Sequence, residues 1–249
     1  MDLGLKGKVA IVTGSARGLG AATAKRLAAE GCKVVVTDIM REQAEATTAA
    51  LKAEGLAAHC VVGDITNAGD VQRLVDESVE VFGGVHILVN NAGFPRDKYL
   101  VKMSEEDWDL VIQVMLKGAF LTCKAVIPRL IEQGWGRVVN ISSRAHLGNP
   151  TQANYSAAKA GLIGMAKALA HEQGRYGITV NCVAPGFMET EMVQALPTYD
   201  VLKERAIERQ PIKRVGHPRD VADAVAFLVS ERAGFISGEV VHVTGGRYG

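Results

Sequence analysis

Surplus charge of either sign is missing from this chain: 28 lysines and arginines stand against 27 aspartates and glutamates, for a net +1. The two signs are mixed along the sequence, so nothing argues electrostatically for nucleic acid or a membrane surface as partner. Long apolar runs are missing too, and a stretch such as Val34-Val35-Val36 is far short of a spanning helix. The cysteines are few and scattered (Cys32, Cys60, Cys123 and Cys182), without CxxC or Cys/His ligand spacing. They read as small buried hydrophobes, and no metal site is expected. The opening MDLGLKGKVAIVTG does not resemble a signal peptide, because its apolar run leads straight into a glycine-rich turn. A cytoplasmic protein is the expectation. No internal repeat, low-complexity stretch or Pro/Ser-rich linker interrupts the sequence, and residues 1–249 read as a single domain.

What is present is a regular alternation. Apolar, β-branched runs at 8–13, 33–38, 58–64, 86–90, 137–142, 178–184 and 239–244 predict seven strands. They are continuous rather than alternating, as in strands covered on both faces. Helical periodicity fills 18–30, 41–54, 67–82, 105–132, 154–173 and 218–230. Alternating strand and helix with right-handed crossovers predicts an α/β, Rossmann-like, doubly wound parallel sheet of seven strands with helices on both faces. Residues 185–217, with Pro185, Gly186, Pro197, Pro211 and Gly216, read as a long connection that serves as a substrate lid.

Directly after the first strand comes Thr13-Gly14-Ser15-Ala16-Arg17-Gly18-Leu19-Gly20, which opens a helix. Glycines there allow a tight turn and let the backbone approach a pyrophosphate at the helix N-terminus, where free N–H groups favour anions. Asp38 ends the second strand at the spacing expected of an acid that accepts bonds from the adenosine ribose hydroxyls. Its carboxylate would repel a 2′-phosphate. Arg17 pulls the other way, and the balance predicts NAD.

Tyr155 and Lys159 are four residues apart and so share one face of a helix. A phenol with a pKa of about 10 is a poor base at neutral pH. A nearby ammonium would favour the phenolate and fit it for acid–base work.

These residues, with GDI (63–65), NNAG (90–93), NISS (140–143), YSAAK (155–159) and VNCVAPGFMET (180–190), resemble the short-chain dehydrogenase/reductase family over nearly the whole chain. The texture is similar to its 3-oxoacyl-carrier-protein reductases and secondary alcohol dehydrogenases. The resemblance implies that Asp64 and Ile65 hold adenine and that Asn90, Asn91, Ala92 and Gly93 line the cofactor cleft. It implies that Pro185, Gly186 and Thr190 hold the nicotinamide end, and that Lys159 also bonds the nicotinamide ribose. A homotetramer is implied as well, with the C-terminal VVHVTGGRYG near a subunit interface.

Two positions depart from the family pattern. Its substrate-orienting serine is last in an NISS-like strand end, which selects Ser143, whereas the usual spacing to the tyrosine selects Ser142. Strands resist a one-residue slip and loops absorb deletions, so Ser143 is preferred and the loop RAHLGNPTQAN is read as one residue short. Seven residues after Trp108 the family carries an asparagine, at a break in its helix, that positions a water in the proton relay. This chain has Met115, a weak acceptor at best. Phe94, Tyr99, His146, Leu147, Phe187, Met188 and Met192 are expected to border the active site, which suits a small-molecule ketone or secondary alcohol with a hydrophobic, even aromatic, body. A carrier-protein reductase is the alternative reading. Against it stand Asp38 and the residues Gly134 and Tyr176, where such reductases carry docking arginines; Arg129 and Arg175 lie nearby. A non-catalytic nucleotide sensor is a third reading, supported by Met115 alone.

Overall fold

The structure, a computed structural model, describes residues 2–247. Its strands are β1 (Val9–Thr13), β2 (Lys33–Asp38), β3 (Ala58–Val62), β4 (Ile87–Asn90), β5 (Gly136–Ile141), β6 (Ile178–Pro185) and β7 (Val240–Val243). Its helices are α1 (Gly18–Ala29), α2 (Arg41–Ala53), α3 (Ala68–Phe82), α4 (Glu105–Ile112), α5 (Gly118–Gln133), α6 (Ala153–Gln173), α7 (Glu191–Gln194), α8 (Tyr199–Arg209) and α9 (Pro218–Leu228). The strands form one parallel sheet in the order β3-β2-β1-β4-β5-β6-β7. The doubly wound fold is therefore as the alternating pattern predicts.

Burial explains the pattern. Every residue of β1, β4, β5 and β6 is buried, whereas the edge strands β3 and β7 are partly open. One face of the sheet is covered by α1, α2 and α9 through Ala24, Leu27, Leu51, Val221 and Val225. The other is covered by α3, α5 and α6 through Leu74, Val75, Val126, Leu130 and Ala166. Both faces of the central strands thus lose water, which removes any need for polar alternation.

The chain winds outward from β1 to β2 and β3, then returns to place β4 on the other side of β1. Loops leaving the carboxyl ends of β1 and β4 therefore diverge, and the crevice between them is where such sheets bind ligands. Asn91 ties the two loops together. Its Nδ2 donates to the carbonyls of Thr13 and Gly14 at 2.9 and 2.8 Å.

Two features differ from the sequence expectation. The segment 185–217 contains α7 and α8, which a polar composition concealed: Ala206 is the one buried residue of α8. The run 105–132 is a composite in which α4 and α5 are joined by a π turn, Gln113–Lys117. From Glu105 to Gln133 it is long and apolar enough to cross a membrane by length and composition. It lies instead within the fold, α4 against α6 and α5 against α3 and the sheet. Of the C-terminal segment expected near a subunit interface, Tyr248 and Gly249 lie outside the described residues.

Candidate active site

A cavity of about 850 Å³ opens at the carboxyl end of the sheet. Its inner end is built by the glycine turn. Gly14 and Gly18 have φ of +62° and +59°, the left-handed region that glycine enters without strain. A Cβ at Gly14 would come 2.6 Å from Ala92 Cα, and one at Gly20 only 2.2 Å from the carbonyl oxygen of Gly14. Gly20 is thus a packing residue that lets α1 approach the turn. It does not line the cavity, whereas Gly14, Arg17, Gly18 and Leu19 do.

Asp38, at the end of β2, faces the same cavity and is held by two backbone donors, Ala16 N at 3.2 Å and Met40 N at 3.1 Å. Asp64 and Ile65 form the opposite wall. The Asp64 carboxylate accepts both the amide and the hydroxyl of Thr66 at 2.8 Å. Asn91, Ala92 and Gly93 line the cleft, but Asn90 does not. Asn90 is buried and bonded to Asn140 Oδ1 at 2.9 Å and to the Thr122 hydroxyl at 2.6 Å. Its side chain points from the strand into the layer under α5, one residue out of phase with Asn91.

Tyr155, Lys159 and Ser143 meet at the other end of this cavity. Tyr155 and Lys159 are successive-turn neighbours on α6, with Lys159 Nζ 5.5 Å from the phenol ring centre. Lys159 is buried and donates to the Ile141 carbonyl at 2.7 Å. Burial without a carboxylate partner pulls its pKa from 10.5 to about 8. Burial likewise pushes the Tyr155 phenol above its ordinary 10. A hydrogen bond from Ser143 partly offsets this by favouring the phenolate, and the Asp97 charge opposes it. In the protein alone, desolvation therefore outweighs the help that the lysine was expected to give.

The two serines separate cleanly. The Ser142 hydroxyl is buried and donates to the Lys159 carbonyl at 2.9 Å, stapling β5 to α6. Ser143 faces Tyr155 and accepts from Ala145 N at 3.1 Å. The loop between them and Tyr155 is tight enough to hold Thr151 at φ +71°. Asn154 anchors its end, donating to the carbonyls of Arg96 and Asp107 at 3.3 and 3.0 Å.

Pro185, Gly186 and Thr190 line the cavity as it passes under the 185–217 segment. Glu189 fixes this segment: it accepts from Tyr199 Oη and, at 3.0 Å, from Lys203 Nζ, both on α8. Residues 202, 205, 206 and 209 of α8 face the cavity, a helical spacing that makes one side of α8 its roof. Of the expected substrate-bordering residues, Phe94, Phe187, Met188 and Met192 line the cavity and Tyr99, His146 and Leu147 do not. Tyr99 and Leu147 are open to solvent, and His146 pairs with His242 at 2.9 Å between their Nε2 atoms. The arginines 144, 205, 209 and 247 were missed; the four-residue spacing of Arg205 and Arg209 is the sequence signal that could have flagged them.

Residues 14–247 match the family described as Enoyl-(Acyl carrier protein) reductase. The chain is 46% identical over 245 residues to the (2S)-[(R)-hydroxy(phenyl)methyl]succinyl-CoA dehydrogenase subunit BbsD of Thauera aromatica, covering 98% of both chains. It belongs to the short-chain dehydrogenase/reductase family. Other members are similar at comparable levels. The 3-oxoacyl-[acyl-carrier-protein] reductase FabG of Staphylococcus epidermidis is 42% identical over 243 residues, 97% of this chain and 99% of that one. The FabG of Aquifex aeolicus is 43% identical over 250 residues, covering all of both chains. A putative gluconate dehydrogenase from Agrobacterium tumefaciens superposes with a TM-score of 0.92 at 33% identity, over 98% of this chain and 97% of that one. This short-chain dehydrogenase/reductase is therefore an oxidoreductase of a nicotinamide-dependent family. The glycine turn, which lines the cavity through Gly14, Gly18 and Leu19 at the start of α1, fits such a cofactor.

Proposed function

We propose that the protein is an NAD(H)-dependent dehydrogenase that interconverts a secondary alcohol and a ketone next to an apolar or aromatic group. The observation that carries this is the convergence of Ser143, Tyr155 and Lys159 at one end of a cavity whose other end presents Asp38. Gly14, Gly18 and Leu19 would hold the pyrophosphate, Asp38 the adenosine ribose, and Asp64 and Ile65 the adenine. Asn91, Ala92, Gly93, Pro185, Gly186 and Thr190 would enclose the nicotinamide half. The bound nicotinamide supplies the hydride acceptor or donor.

The protein's own groups handle the proton. Tyr155 Oη takes the hydroxyl proton as hydride leaves the substrate carbon, and returns it in reduction. Lys159 supplies the nearby positive charge and would turn its ammonium from the Ile141 carbonyl to the ribose hydroxyls. Ser143 donates to the substrate oxygen and stabilises its developing negative charge. Phe94, Phe187, Met188 and Met192 give the substrate an apolar bed. The phenyl-bearing alcohol in the name of the Thauera relative is consistent with such a bed.

A 3-oxoacyl-carrier-protein reductase is the second reading, favoured by the FabG relatives. Asp38 disfavours a 2′-phosphate. Arg129 pairs with Glu132 at 3.3 Å and Arg175 stacks on Tyr176 at 4.7 Å, so both nearby arginines are already engaged. Gly134 caps α5 at φ +63°, a conformation that disfavours an arginine there. The test is turnover of a panel of aryl and alkyl secondary alcohols and ketones with NAD(H) and NADP(H), beside an acyl-carrier-protein substrate. NAD-linked turnover of free alcohols is the expected result. NADPH-linked turnover confined to the carrier substrate would replace the first reading with the second.

A further inference from the structure

Four arginines reach the cavity from three separate elements. Arg144 lies in the short helical turn that follows Ser143, Arg205 and Arg209 project one turn apart from the cavity face of α8, and Arg247 follows β7. None of the four has an ion-pair partner among the described residues, and what sets them apart from the chain's other unpaired arginines is that they share one cavity. Three acidic residues also line the cavity, Asp38 and Asp64 at the proposed adenosine end and Glu191 on α7, and none of them is ion-paired with the four arginines. The like charges feel one another, since burial first, and then Arg144 and Arg209, hold Arg247 below its ordinary value. Arg144 and Arg247 are half-buried and Arg205 and Arg209 exposed, so the four charges line the solvent-facing side of one concave space, where positive groups gathered without counter-charges favour an anion. Arg17, beside the glycine turn, is not part of the group.

We propose that Arg144, Arg205, Arg209 and Arg247 form a recognition site for an anionic group, a carboxylate or phosphate, carried by the substrate away from its reacting carbon. This rests on the dehydrogenase reading for the position of the reacting carbon. Phe187, Met188 and Met192 line the same cavity, so the substrate that fits is amphipathic, with an apolar body and a charged end. Planar guanidinium forks suit either oxyanion bidentately.

The test compares three ketones with one reacting skeleton: benzoylacetate, its neutral ethyl ester, and benzoylacetyl-CoA. Each is reduced by the wild type and by the double variant Arg205→Gln/Arg209→Gln. The anionic ketones are expected to exceed the ester by roughly tenfold or more in kcat/KM, mainly through KM. The double variant is expected to shrink that ratio toward one. A preference for benzoylacetate assigns the site to the substrate's own carboxylate, and a preference confined to the thioester assigns it to carrier phosphates. Thermal shift with phenylsuccinate and with its dimethyl ester reads the site without turnover. Stabilisation of the wild type by the diacid alone, lost in the variant, supports the anion site even where no ketone is reduced. Equal use of all three ketones, or no selective stabilisation by the diacid where none is turned over, overturns it; the former leaves the dehydrogenase reading standing.

Discussion

The side chain of Met115 rests on the backbone of Gly93: a Cβ built at Gly93 would lie 2.9 Å from both Cε and Cγ of the methionine. Met115 is 2% exposed and packs with Val111, Ala158 and Tyr155. The thioether thus occupies the volume behind the proposed acid–base group, where the family's asparagine would support a water. The expected consequence is a slowed proton exchange between Tyr155 and solvent. Met115→Asn is expected to raise kcat severalfold with little change in KM, and to lower the solvent isotope effect on kcat as the exchange ceases to limit the rate. An unchanged or lower kcat in a folded variant would show that protons leave by another route.

Tyr155→Phe removes the group that takes the proton but leaves the ring that packs against Met115. Turnover is expected to fall by at least about a thousandfold, with NAD affinity within about twofold of wild type by equilibrium titration. Ser143→Ala is expected to cost about a hundredfold, the scale of one lost oxyanion donor. Ser142→Ala, by contrast, breaks the staple to the Lys159 carbonyl and is expected to appear chiefly as lost stability, about 1–2 kcal/mol by denaturant titration.

Asp38 is anchored by two amides, which hold its carboxylate in place at the proposed ribose position. Asp38→Ser is expected to lower the kcat/KM preference for NAD over NADP by about tenfold or more. An unchanged preference would place the ribose elsewhere.

Lys159 gives a pH dependence whose sign can be worked out. Its pKa is about 8 in the folded protein against an ordinary 10.5. Between those values the unfolded chain binds more protons, so this group makes stability rise with pH across that window. Below pH 8 both states are protonated, and the folded state carries the full cost of a buried ammonium, on the order of 3 kcal/mol. Lys159→Met is expected to abolish turnover, yet to melt higher than wild type at pH 7, with the difference narrowing toward pH 10. A variant that melts lower at pH 7 would mean that the ammonium is better compensated than its surroundings indicate.

Thr151 has φ +71°, a region that costs a β-branched residue roughly 1–2 kcal/mol. Its carbonyl accepts from Lys98 N at 2.8 Å, which holds the conformation in place. Thr151→Asn, which tolerates this region, is expected to raise Tm by a few degrees. An unchanged or lower Tm would argue that the loop is unstrained.

The strands were legible because burial on both faces writes continuous apolar runs into the sequence, and the glycine turn because few other residues tolerate its geometry. The roof over the cavity was not. α8 is polar, with most of its side chains in solvent, so its register is set by Glu189 holding Tyr199 and Lys203 rather than by an apolar stripe. His146 and Tyr99 were misplaced for a related reason: proximity along the chain to Ser143 or to the NNAG segment does not give side-chain direction. The one-residue ambiguity between Ser142 and Ser143 needed the third dimension, since adjacent strand residues face opposite ways.

The π turn at Gln113–Lys117 has a consequence for how the whole helix is composed. One additional residue turns everything that follows by roughly 100° relative to an unbroken α-helix. The first half can therefore aim Val111 and Met115 at Tyr155, while the second aims Cys123, Val126 and Leu130 at the sheet. A rod serving two interiors at different azimuths needs greasy residues around much of its circumference, which is why this stretch has the composition of a membrane segment. Removing a single residue there would reunite the two stripes and leave one interior unfilled.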